Sequence, residues 1–477
     1  MSTPRRPWLA ALAAAAVLAS SCTPLPPRPP PAPKGPEHPP AVGPMQPFTL
    51  PAKRDFTLAN GMKVTLVPFG NVPKTALLLT LRTASTAEGP HHGLLDLTGE
   101  LMKEGAGARD AQQLAQYAAD MGGALEVSTG LDQTTIGIDV LSDRAGDAVG
   151  LLADVVRRPR LPAAELPRLK ADLARQVAVA RSQAQTLAHE AFAHLMWGDH
   201  PYGRGEPSEA EIAAIDIKDV RAFVGREFSA ARAHLFVSGR FDADVRERAL
   251  RAAFGDWPAG SRPVPHPASG SRARVVKLID RPGAAQSTIV LGVPVPGPAT
   301  PGFMGLSVAN AMLGGGLLSR LDRNIREDKG WTYGAASRIT PLADGVALFT
   351  VTTDVNAPDT APALAEIFSE IERLRAEPPP ADELKSIQNY RAGTFVIGAA
   401  SRGGILAQLA FIDLQGLPDE YLTQYVQRVY GVTQDELRAA AAHYLDPNAM
   451  TLVVVADLAK LKPAILALPA LQGARFE

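Results

Sequence analysis

The chain has 477 residues and a formal net charge of -1, from 48 lysine and arginine residues against 49 aspartate and glutamate. That length exceeds one ordinary core, so at least two domains are expected. With 46% hydrophobic and 20% charged residues the composition is globular, and near-zero charge gives no electrostatic footprint for nucleic acid. A single cysteine excludes an intramolecular disulfide framework and a thiolate zinc cluster.

Residues 1–21 read as an export signal. Arg5 and Arg6 precede an apolar run from Trp8 to Ala19, followed by Ser20, Ser21 and Cys22. The run is too short to span a bilayer comfortably. Ala19-Ser20-Ser21-Cys22 resembles a bacterial lipobox, although Leu18 stands one place early, and Cys22 is the expected site of lipidation. Cys22 is followed by Thr23 and not aspartate, which by analogy points to the periplasmic face of an outer membrane. From Pro24 to Pro51, 13 of 28 residues are proline. Residues 22–51 therefore form a stiff spacer that holds a globular body off a membrane.

The body is predicted to be a duplication. Strands are expected at Lys63–Pro68, Thr75–Arg82 and Thr134–Val140, alternating with helices at Gly93–Lys103, Ala111–Met121, Ala145–Arg157 and Ala163–Ala184. A helix opening at Ile217-Lys218-Asp219-Val220 precedes the strand Ala233–Gly239. The same phrase returns as a helix opening at Thr433-Gln434-Asp435-Glu436 and the strand Met450–Asp457. Upstream, Leu161-Pro162-Ala163-Ala164-Glu165-Leu166 mirrors Pro379-Pro380-Ala381-Asp382-Glu383-Leu384. A repeat of this size means two copies of one α+β sandwich domain. They are placed at residues 52–262 and 274–477, joined by a proline-bearing linker at 263–273.

Four segments carry a family resemblance: Phe56-Thr57-Leu58-Ala59-Asn60-Gly61, Gly93-Leu94-Leu95-Asp96-Leu97, Gly198-Asp199-His200-Pro201-Tyr202-Gly203-Arg204, and the glycine-rich run from Leu313. In these the chain resembles the insulinase/pitrilysin metallopeptidases, particularly their short, processing-peptidase-like branch. The resemblance implies two similar α+β halves closing over a chamber. It also implies an inverted zinc motif, H-x-x-E-H, whose histidines share one helix face and whose glutamate polarises a metal-bound water. Here that motif is degenerate. Asp96 stands at the first histidine position, Gly99 at the catalytic glutamate and Glu100 at the second histidine; Gln176 stands at the third ligand, 76 residues beyond Glu100.

His92, Asp96 and Glu100 are spaced to share a helix face, but a polar stripe without metal is the preferred reading. His189 and His194 are five apart, about 140° around a helix, and are not a zinc pair. The resemblance further implies an arginine and a tyrosine, seven apart, given by the second half to the catalytic site. Arg326 and Tyr333 match it. They would offer forked donors to substrate carbonyls and a hydroxyl to the developing oxyanion. The expected function is a non-catalytic, substrate-binding subunit without a cofactor of its own. It would bind peptide and pair as a heterodimer with a zinc-bearing homologue. A peptide-binding scaffold and an autonomous peptidase with an atypical metal site are the alternatives.

Overall fold

The computed structural model describes residues 47–316 and 318–477. The expected export signal, the expected lipidation site Cys22 and the proline-rich segment up to Gln46 lie outside the described residues. The fold is α+β and repeats itself. The first half contributes β1 (Arg54–Thr57), β2 (Lys63–Pro68), β3 (Lys74–Leu81), the short ribbon β4 (Gly105–Ala106) and β5 (Arg109–Asp110), β6 (Glu126–Ser128), β7 (Thr134–Leu141) and β8 (Ala233–Gly239). The second contributes β9 (Val275–Asp280), β10 (Gln286–Pro296), β11 (Thr332–Pro341), β12 (Val346–Asn356), β13 (Thr451–Ala456) and β14 (Arg475–Phe476). The sheets run β1-β2-β8-β3-β7-β6 and, in the mirrored sense, β14-β9-β13-β10-β12-β11. In each, the late strand returns parallel to the first long one, β8 beside β2 and β13 beside β9.

Local chemistry sets the matching elements. Asp216 caps the helix Ile217–Glu227 with a capping box to Asp219, and Thr433 caps Gln434–Tyr444 with one to Glu436. The first helix of each half starts from a left-handed glycine, Gly93 at φ 88° and Gly302 at φ 83°. One expected helix is divided. Ala163–Ala184 becomes Leu166–Arg181, then a two-residue break, then Ala184–Trp197. The Ser182 hydroxyl donates to the Val179 carbonyl at 2.6 Å, and Gln183 takes an extended backbone. A serine competing for backbone carbonyls ends a helix that neither glycine nor proline interrupts.

The helix after this break crosses to the other half. Ala188, Phe192, Met196 and Trp197 pack with Val290, Val453 and Val455 on β10 and β13. In return, Arg402–Leu414 covers β3 and β8, where Ala76 and Phe236, with Val67 on the neighbouring β2, join the second half's core. Strand side chains alternate between faces, so Ile289 and Leu291 point into the second core while Val290 faces the crossing helix. Both faces of the central strands are covered, which is why β2 and β13 are nearly continuous apolar runs.

The ends of the crossing helices are tied by polar contacts. Arg402 pairs with Asp139 on β7 at 3.2 Å, and Gln185 donates to Asp354 on β12 at 2.8 Å, the corresponding contact in the duplicate. At the far end of Arg402–Leu414, Arg82 donates to the Leu414 carbonyl at 3.0 Å, and Asp413 receives Lys63 at 3.1 Å with His234 Nδ1 at 3.2 Å. The connection between the halves has no regular structure from 258 to 274, yet Ser271 N–H donates to the Met196 carbonyl at 2.7 Å. The spacer does not stay free up to residue 51. Phe48 sits edge-on to Phe395 with ring centroids 5.0 Å apart, so the packed body begins earlier than the proline content implied.

Gly292 on β10 marks the closest approach of the exchange. A Cβ there would lie 2.4 Å from the Phe349 carbonyl oxygen and 2.8 Å from Phe192 Cζ on the crossing helix. Gly292→Ala should therefore cost about 1–3 kcal/mol in urea unfolding, since neither paired backbone nor a packed ring can yield. Gly393, mid-helix with open space around its Cα, is the control. Gly393→Ala should raise stability by up to about 1 kcal/mol.

Candidate functional site

Asp96, Gly99 and Glu100, the positions expected for the degenerate motif, lie on the helix Leu94–Lys103, whose N-terminus is built by a residue outside that expectation. Glu88 precedes the Gly93 turn and accepts the Leu95 N–H on Oε1 at 2.7 Å. A carboxylate at that place satisfies a donor the helix cannot, and complements its dipole. Yet Glu88 is only 4% exposed, and its Oε2 is buried without a hydrogen-bond partner. Burial, reinforced by nearby Asp96, raises its carboxyl to about 7 against the pull of backbone N–H groups and Arg204. Glu88 and Asp96 line a cavity of about 510 Å³ with Thr129, His189, Glu190 and Glu206. Burial, then Glu190 and Asp96, raises the Glu206 carboxyl as well. Burial lowers the basicity of both His92 and His189.

The four motif positions are not assembled for zinc. Asp96 accepts the Thr129 hydroxyl at 2.7 Å. Gly99 is buried beneath the same residue: a Cβ there would meet Thr129 Cγ2 at 2.8 Å, so a glutamate cannot enter without displacing it. Glu100 is exposed and paired with Lys103 at 2.6 Å. Gln176 is exposed on Leu166–Arg181 and does not line the cavity. His92, expected to extend the stripe, precedes the helix and lies 3.9 Å from Glu211. His189 and His194 line different cavities. Among the described residues no three histidine, cysteine, aspartate or glutamate side chains are grouped to hold a metal ion. The donor set does not fit zinc, and no water-activating step can be routed through Gly99.

Arg326 and Tyr333 line a different, larger cavity in the second half, about 870 Å³, which shares no lining residue with the first. Arg326 sits on a π-helical turn, Asp322–Asp328, and donates to Asp322 at 3.1 Å with Glu327 at 3.6 Å. Such turns recur at functional sites. Tyr333 is 94% exposed. A bulge between Thr332 and Ala335 turns it out of the β11–β12 ladder, pinned where Thr332 Oγ1 accepts the Gly334 N–H at 3.0 Å and Thr353 donates to the Gly334 carbonyl at 2.9 Å. The glycine-rich run beside them is anchored by Arg320, which is buried and grips Glu383 through two bonds of 2.9 and 2.8 Å.

Two outcomes follow from this geometry. Gly99→Ala should lower thermal stability although alanine favours a helix by about 1 kcal/mol over glycine. In a Thr129→Ser background, which removes Cγ2 and keeps the hydroxyl, the same change should be neutral or stabilising; a double-mutant cycle reads the difference. Glu88 supplies the second. Its folded value, about 7, lies above the ordinary 4.5, so the folded state holds the proton more tightly. Stability should fall as pH rises from the unfolded value through 7 and stay reduced above it. Glu88→Gln should remove that slope, gaining at most about 3 kcal/mol over wild type at pH 8 and little at pH 4, measured by denaturant unfolding.

Residues 71–205 match the family model for insulinase (peptidase family M16), and residues 214–390 match that for the peptidase M16 inactive domain. An uncharacterised zinc protease of Mycobacterium tuberculosis is 25% identical over 425 residues, covering 85% of this chain and 94% of that one. The crystal structure of a peptidase M16 inactive domain from Pseudomonas fluorescens superposes with a TM-score of 0.78 at 23% identity, covering 85% of this chain and 98% of its own. The periplasmic protease PqqL of Escherichia coli gives 0.74 at 15% identity, covering 95% of this chain and 51% of PqqL. The first match lies within the first half, the second starts at the end of that half and runs into the second, and the chain belongs to the insulinase (M16) peptidase family.

Proposed function

We propose that this protein is a non-catalytic, substrate-binding subunit of a two-component zinc metallopeptidase of the cell envelope. The observation that carries the reading is the placement of Arg326 and Tyr333. They stand at a cavity separate from the degenerate motif, with Tyr333 exposed and making no hydrogen bond among the described residues. A pair so placed serves a second chain better than its own. The partner is a homologue with an intact H-x-x-E-H motif, and the zinc resides there. Tyr333 then gives its hydroxyl to the oxyanion forming on the partner's substrate, and Arg326 exchanges an intramolecular ion pair for peptide carbonyls. Asp96, Gly99, Glu100 and Gln176 take no part in the chemistry. The export signal, lipidation at Cys22 and the periplasmic address of the neighbour PqqL support an envelope location, with the spacer holding the body off the membrane.

The test is reconstitution with the zinc-bearing homologue and a fluorogenic peptide. Tyr333→Phe should lower kcat by about 10²–10³. Arg326→Ala should show in both kcat and KM, since its guanidinium already contacts bound substrate. Asp96→Ala and Glu100→Ala should leave activity nearly intact, and all four variants should assemble. Zinc should co-purify with the partner alone. Full activity of an Arg326→Ala/Tyr333→Phe double variant would remove the complementation reading and favour a peptide-binding scaffold.

A further inference from the structure

The second-half cavity holds more positive charge than its own walls neutralise. Aromatic rings make up much of the lining, Phe395, Phe411, Tyr421 and Tyr425 among them, and Arg391 reaches in from the helix Ala381–Ala399. Its Nη2 donates to Ser307 Oγ at 2.9 Å and to the Tyr425 hydroxyl at 2.6 Å. Its Nε is buried with no hydrogen-bond partner, and no carboxylate among the described residues lies within ion-pair distance. The only carboxylate lining the cavity, Asp322, is committed to Arg326. Arg338 on the edge strand β11 lines the same space and also forms no ion pair among the described residues. Asn310 Oδ1, another lining atom, is a buried acceptor without a donor.

Arg391 is half-buried with its Nε shut off from water, an N–H left unpaired there is costly, and a planar fork of donors is matched best by a carboxylate. Resting on the reading that this chain binds peptide, we propose that the cavity receives a peptide carboxylate on Arg391, with the aromatic walls enclosing the apolar side chain next to it. Asn310 then takes a peptide N–H. Arg326 and Tyr333 line the same cavity, so a peptide held this way passes the pair that the partner's chemistry requires. The carboxylate belongs either to the peptide's C-terminus or to an acidic side chain, which the chemistry of Arg391 does not separate.

The test uses the isolated full chain, without the zinc-bearing partner, and three fluorescent decapeptides of one apolar–aromatic sequence. One has a free C-terminal carboxylate, one is amidated, and one is amidated with an internal glutamate. At least one acidic peptide should bind about 10- to 100-fold tighter than the neutral amide, and whichever does identifies the carboxylate's source. Arg391→Gln should abolish the preference while circular dichroism and thermal unfolding stay as in the wild type. Should that variant fail to fold, Arg391→Lys, which keeps the charge and loses the fork, should narrow the preference to a few-fold. Equal affinity for all three peptides, a preference that survives Arg391→Gln, or no binding at all would overturn the proposal. Equal affinities alongside an intact dependence of complementation on Tyr333 would reject the carboxylate site alone and leave the subunit reading standing.

Discussion

The fold depends on two helices that leave their own half to cover the other half's sheet. Without Ala184–Trp197, the valines 290, 453 and 455 would face water; without Arg402–Leu414, so would Val67, Ala76 and Phe236. Burying an aliphatic or aromatic side chain of this size stabilises by about 1.5–3 kcal/mol, so neither half retains a dry sheet alone. Residues 47–477 accordingly form one compact unit although the chain is a duplication. The exchange is also why the polar anchors come in corresponding pairs, Arg402 on Asp139 and Gln185 on Asp354.

The same exchange frames two cavities. Each is walled by a half's crossing helix and by its edge strand or the residues just after it. In the first half these are Ala184–Trp197 and Thr129 to Leu131, just after β6; in the second they are Arg402–Leu414 and β11 itself. The frames correspond, but their contents have diverged. The first half keeps a carboxyl-rich lining under a three-residue edge strand. The second presents a ten-residue edge strand, aromatic walls and arginines.

Much of this was legible before any coordinates. Capping boxes at Asp216 and Thr433, the paired Pro-Ala-x-Glu-Leu openings and the apolar runs of β2 and β13 report local rules, and local rules survive folding. Other features depend on tertiary contacts. The break at Ser182–Gln183 carries no glycine or proline, so its helix was read as one piece, and with it the exchange was missed. Phe48 looked like part of a spacer because proline content says nothing of a ring that finds Phe395. Glu88 was passed over, although an acid shortly before a glycine-led helix start is a readable capping signal. Spacing assigns Asp96, Gly99, Glu100 and Gln176 to the motif positions, but it does not reveal that Thr129 fills the place above Gly99, nor that Gln176 lies away from the cavity. Nor does it reveal that Arg326 and Tyr333 belong to a separate cavity, since that requires knowing how the halves interlock.

The two halves engage the polar residues around their cavities differently. In the first half the residues at the motif positions have been absorbed into ordinary contacts. Asp96 takes a threonine hydroxyl, Glu100 takes a lysine, and a methyl group closes over Gly99. Glu88 Oε2 and Ser85 Oγ, which line the same cavity, are buried without partners, and Glu88 is held there by the helix N-terminus it caps. The second half leaves groups of another kind unpartnered. Arg391 Nε and Asn310 Oδ1 are buried without partners, and Tyr333 stands out from its strand on a bulge secured by two threonines. A buried donor or acceptor left unsatisfied costs about 1–3 kcal/mol. The unpartnered groups around the second cavity are the ones that the proposed peptide and the proposed partner chain would complete.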